Sequence, residues 1–211
     1  MGRRLAVLLL AASAVAWGVA LLYPGSGPRG LSLGTAYAAY SLVMWALVIG
    51  PLNVLRGVPN PVHGALRRDV GIAGGCFSVL HTIVGLQVHQ GGQFARYFMY
   101  AREHASTSQS VFLLANWLGL LSAIVFALLV AISNNPSLRS MGLRTWKYVQ
   151  RGAYPAVILA TIHGLAYQVI EKRSAFLIAL IFAGAVCVVA LQIAGIRVRL
   201  RASGATASLP P

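Results

Sequence analysis

Two histidines, His81 and His163, fall inside two different apolar stretches of this 211-residue chain, at matching depth. Arg67 and Arg68 precede the first stretch and Arg151 precedes the second. His81 follows Arg68 by 13 residues, and His163 follows Arg151 by 12. If both stretches are helices, a rise of about 1.5 Å per residue puts each imidazole roughly 18–20 Å from its basic end. Imidazole nitrogens are metal ligands. Two at one level on two helices can hold one metal between them, and in a membrane that metal is most often haem iron.

The faces around the two histidines point the same way. Gly71, Gly74 or Gly75, Ser78, His81 and Gly85 recur at steps of three and four, as do Ala153, Ala156, Ala160, His163 and Tyr167. Such steps share one helix face. Stripes of small residues also serve plain helix packing, and a lone deep histidine can simply bond a neighbouring helix. A histidine in the middle of both stripes favours a flat macrocycle between the helices, with Gly85 leaving room for its edge. Intramembrane histidines are functional candidates because an unpartnered one is costly in lipid. The other histidines, His63, His89 and His104, fall in connections or at an interface, where solvated roles suffice. Arg96 and Arg102 lie in a long connection and are candidates to pair with haem propionates, since Arg favours carboxylates.

The elements that must position these residues are legible from composition. Hydrophobic residues make up 58% of the chain and charged residues 9%, with a mean hydropathy of +0.74. Soluble domains carry about 25% charged residues. Six apolar stretches are long enough to cross a bilayer core of about 30 Å: residues 5–23, 34–52, 70–89, 111–132, 152–170 and 175–196. The reading is an all-α integral membrane six-helix bundle over residues 1–196, with a short, unstructured cytoplasmic tail at 197–211. The start of the chain reads as an uncleaved signal anchor. Asp69 reads as the N-cap of the third span, and Asn134-Asn135-Pro136 as the stop of the fourth. Twelve Lys and Arg residues fall on one side of this layout and five on the other. The positive-inside rule then puts both termini in the cytoplasm, which for a bacterial chain means the inner membrane.

Other classes are excluded. The net charge of +14 is spread between apolar stretches and forms no single run, so no nucleic acid partner is expected. Cys76 and Cys187 lie in apolar stretches without metal or thioether spacing and read as packing residues. No acid lies deep in a span, which argues against a transporter.

The blocks Arg67-Arg68-Asp69-Val70-Gly71 leading to Leu80-His81, and Met141-Gly142-Leu143-Arg144-Thr145-Trp146-Lys147 leading through Arg151 and Tyr154-Pro155 to Ile162-His163, resemble the ferric-reductase-like transmembrane family. The layout is closest to the MsrQ-type haem-binding subunit of bacterial methionine-sulfoxide reductase systems and extends over about residues 35–195. The resemblance implies haem b as cofactor and electron transfer as activity. It also implies a histidine 13 residues before His163, serving a second haem. Here that position is Gln150, so one haem is expected and the second is doubtful.

The leading function is a b-type cytochrome subunit that relays electrons from quinol or a cytoplasmic flavoprotein to an acceptor on the outer face. His81 and His163 are its metal ligands. No nucleotide-binding fingerprint follows a strand, so a reductase would need a partner chain, in a hetero-oligomer or larger membrane complex. The alternative is an accessory or structural subunit that keeps the fold with one haem or none.

Overall fold

The computed structural model describes residues 2–23, 27–58, 64–89, 92–99 and 107–207. Among the described residues there are eight helices and no strand. They are α1 (Gly2–Leu22), α2 (Pro28–Leu55), α3 (Ala65–Gly85), α4 (Phe94–Met99), α5 (Thr107–Ala131), α6 (Asn135–Gln150), α7 (Ala153–Ile170) and α8 (Ala175–Ala207). Five segments are long and apolar enough to span: α1, α2, most of α5, the run Asn135–Ile170 through α6 and α7, and α8 to Ala202. The sixth long helix, α3, carries Arg67, Arg68 and Asp69 in its first turns and is less apolar. The all-α, multi-pass membrane reading therefore holds. Helices suit that setting because they satisfy every backbone group internally.

Three local expectations are corrected. Asp69 is not a cap: α3 starts at Ala65 after Gly64, which puts Asp69 one turn inside the helix. It is 1% exposed, with Oδ2 3.8 Å from Arg4 on α1. The connection after α5 contains a helix, α6, capped by the Asn134 side-chain Oδ1, which accepts from the Ser137 N–H at 2.8 Å. Pro136 sits in its first turn, where a missing N–H costs nothing. Gly142, at φ 73°, breaks α6 internally. The supposed unstructured tail is helical to Ala207, because α8 continues through Arg197, Arg199 and Arg201. Residues 208–211 lie outside the described set.

The long helices form a closed ring in the order α2, α3, α5, α7, α8 and back to α2, with α1 packed outside against α2 and α3. Small residues let backbones approach. A side chain on Gly34 would collide with the Ala16 carbonyl of α1, and one on Gly74 would meet Val43 of α2 at 2.8 Å. Gly75 faces Val130 of α5 in the same way. Tyrosine hydroxyls close the seam between α2 and α8: Tyr37 donates to Leu177 O at 3.3 Å and Tyr40 to Ile181 O at 3.0 Å. Gln192 adds a bond to Leu47 O at 3.0 Å. Cys76 and Cys187 are exposed and not disulfide-bonded, so they face outward from the bundle and are not core packing.

Candidate functional site

The ring order decides the geometry of the site. α3 and α7, which carry His81 and His163, are separated by α5 on one side and by α2 and α8 on the other. They face one another across a cavity of about 180 Å³ at the end of the bundle away from Arg67, Arg68 and Arg151. Both imidazoles line it, and their ring centroids stand 6.2 Å apart with planes at 68°.

Each ring is held from behind by a main-chain carbonyl. His81 Nδ1 lies 2.9 Å from Ser32 O on α2, and His163 Nδ1 lies 2.7 Å from Ala115 O on α5. A carbonyl can only accept, so Nδ1 carries the proton in both rings. Nε2 is then the lone-pair nitrogen of each. Such a bond to the non-ligating nitrogen is the usual orienting contact of a metal-binding histidine. Gly119 makes room for the second ring. A Cβ there would lie 2.6 Å from His163 Nδ1 and 2.7 Å from Cε1, so only glycine lets the imidazole settle against α5.

The spacing can be tested against a metal. Nitrogens at about 2.0–2.1 Å on opposite sides of an ion, each about 1.1 Å from its ring centroid, set the centroids roughly 6.2–6.4 Å apart. The observed 6.2 Å fits that arrangement. Among the described residues no group of three or more His, Cys, Asp or Glu could hold a metal. The two histidines therefore suit a metal that brings its remaining ligands with it, as a porphyrin brings four nitrogens.

The small-residue stripes divide along their length. Gly74 and Gly75 serve helix contacts, and Ala156 is fully buried, its carbonyl accepting from Ser122 Oγ at 2.9 Å. Nearer the far end, Ser78, Gly85, Ala160 and Tyr167 line the cavity beside the histidines. Gly85 borders it as expected. A Cβ there would be in ordinary contact, 3.5 Å from Ser32 Oγ. Arg96 is exposed and outside the cavity lining, and Arg102, His63 and His104 lie outside the described residues. The basic side chains that do border the cavity are Arg29 and Arg173.

A polar frame closes the far end. Tyr167 donates to Asn116 Oδ1, Asn116 Nδ2 donates to Tyr97 O at 3.1 Å, and Tyr97 Oη donates to Gly85 O at 3.0 Å. His89, beyond the end of α3, pairs with Glu171 at 3.1 Å. Sequence reading missed Ser32, Ala115, Gly119 and Arg173. Of these, only Arg173 carried a signal, as a basic residue just past the end of a histidine-bearing span.

At the other end α3 meets the end of α6 instead. Thirteen residues before His81 and His163 stand Arg68 and Gln150. Both reach Ser133, just past α5. Arg68 donates to Ser133 O through Nε and Nη2, at 3.2 and 2.9 Å, and Gln150 Nε2 donates to Ser133 Oγ at 3.0 Å.

Comparison with known proteins gives one family. Residues 35–161 match the ferric reductase like transmembrane component; this stretch includes α3 with His81 and the start of α7, and ends two residues before His163. No curated protein and no solved structure matches the chain. The chain belongs to the ferric reductase-like transmembrane family, whose members are membrane redox components.

Proposed function

We propose that this member of the ferric reductase-like transmembrane family is a b-type cytochrome subunit, with one haem b held between His81 and His163. The observation that carries the reading is the pair of opposed imidazoles, 6.2 Å apart, each with Nδ1 tied to a carbonyl and Nε2 left to ligate. Haem b, when bound, supplies a one-electron iron centre. His81 and His163 would hold it as ligands, and with both histidines bound the group would supply electron relay and not oxygen chemistry. Ser32 and Ala115 fix the two rings, and the apolar lining excludes water, which together set the potential.

On this reading electrons enter from quinol or a cytoplasmic flavoprotein and leave at the opposite face to a partner protein. The family resemblance and the basic asymmetry of the connections support it, with both termini in the cytoplasm of a bacterial inner membrane. Residues 1–196 form the haem-binding domain in this proposal, within a hetero-oligomer. The test is an absorption spectrum of the protein purified from haem-replete cells. Sharp bands on reduction and a haem content near one per chain are expected, and a colourless protein overturns the reading.

A second reading, an accessory subunit of a larger membrane complex, draws on the Arg68–Ser133–Gln150 contacts. A polar clamp stands there where a second relay centre would shorten the path across the membrane. Steady reduction by a quinol analogue separates the two: a relay is reduced within a turnover, an accessory chain is not.

A further inference from the structure

We propose that Arg173 anchors a carboxylate of the macrocycle, so that the α7–α8 turn and not the α3–α5 connection recognises the acidic edge of the cofactor. The proposal rests on the cytochrome reading above. It starts from an unmet need. Arg173 Nε and Nη1 are both buried without a hydrogen-bond partner among the described residues. A guanidinium stays charged in any protein setting, and a buried charge calls for a counter-charge or hydrogen bonds.

The chain offers little to meet that need. It has three acidic residues. Asp69 lies at the other end of the bundle beside Arg4, and Glu171 is engaged with His89. Glu103 falls outside the described residues. The face of Tyr23, with its centroid 5.2 Å from Arg173 Cζ, offsets part of the charge but gives the N–H groups no acceptor in their own plane.

Position supplies the rest. Arg173 borders the cavity that holds His81 and His163, and Arg29 borders it too. The turn fixes Arg173 through its own backbone: its N–H donates to Gln168 O at 2.9 Å, and Lys172 before it takes a left-handed φ of 49°. A planar guanidinium with unpartnered N–H groups on two nitrogens suits a carboxylate, the strongest of its ordinary partners. A haem carries two carboxylates on one edge. An orientation with that edge toward Arg173 and Arg29 places the charged groups at the mouth and the apolar rim against the lining.

The test compares haem b with its dimethyl ester, which keeps the ring and the iron and loses the negative charge. The full-length protein is loaded with each, and transfer to apomyoglobin is timed. The unaltered chain is expected to release haem b about tenfold more slowly than the ester, the scale of a charge-assisted bond. Arg173→Gln should release both at the faster rate, and Arg173→Lys should keep part of the preference. Equal release of both forms by the unaltered chain overturns the anchor, and would assign the guanidinium to a lipid phosphate or another anion. A preference that survives in Arg173→Gln overturns it as well. If the unaltered chain binds neither form, the cytochrome reading falls and takes the anchor with it. Should Arg173→Gln fail to assemble, the ester comparison on the unaltered chain decides.

Discussion

The bundle has two levels at which polar side chains from distant helices meet, and the levels are built from opposite materials. At the far level two imidazoles face each other across open space, each backed by a carbonyl. Thirteen residues nearer the basic end in sequence, Arg68 on α3 and Gln150 at the end of α6 close on Ser133. The sequence spacing is the same at both levels, but the Arg151–Gly152 turn separates Gln150 from α7. Side-chain chemistry separates the levels as well. Each imidazole keeps a nitrogen free to ligate, whereas the guanidinium and the amide spend donors on chain acceptors. A repeated sequence spacing thus gives two levels of different character.

The largest expected effect comes from the binding level. His81→Ala or His163→Ala should lower haem affinity by more than about 100-fold, since even outer-shell partners of a metal ligand are worth about 10–100-fold. Retention of a full low-spin spectrum in both variants would refute the assignment. Gly119→Ala comes next. Its Cβ would press on His163 at 2.6 Å, shift the ring off Ala115 O, and weaken haem binding by about 10–100-fold. Titration with haem measures it, and unchanged affinity would show that the ring can move freely.

The structural level gives smaller effects. Replacing Arg68 and Gln150 together by histidine should add a second haem at partial occupancy, read by pyridine haemochrome against protein. Gln150→His alone should leave the count at one, because Arg68 still occupies the opposite wall and is no haem ligand. A count of two from the single change would mean that the clamp does not define this level. Smallest of all, Ser133→Ala removes one acceptor of the Gln150 amide and the hydroxyl's own donation to Leu129 O. It should cost about 2 kcal/mol of stability, the net worth of two hydrogen bonds, with no change in the haem spectrum. A spectral change would show that the two levels are coupled.

Much of this was readable from residue order, and the parts that were not share a cause. The spans were legible because lipid demands long apolar runs. The histidine pair was legible because depth can be counted from the basic ends. α6 escaped because its residues are mostly polar and none is buried, so hydropathy reads it as a connection. The helical tail escaped because Arg is a good helix former that ordinary composition arguments read as a solvated end. Asp69 looked like a cap because it precedes the apolar run, yet the helix starts a turn earlier. Ser32 and Ala115 lie 49 and 48 residues from the rings they orient, and no local pattern encodes such a partner. Arg173 borders the cavity because the ring order brings the α7–α8 turn there, a placement that loop length does not encode.

The seam between α2 and α8 has a consequence for how the molecule is made. Tyr37, Tyr40 and Gln192 join these two helices across 140, 141 and 145 residues of chain. The same two tyrosines also reach α7: Tyr40 shares a hydrogen bond with Thr161 at 3.3 Å, and Tyr37 accepts from Gln168 Nε2 at 3.0 Å. Synthesis delivers α2 early and α8 more than a hundred residues later, so this wall of the bundle is completed only when the final helix inserts against helices already in place.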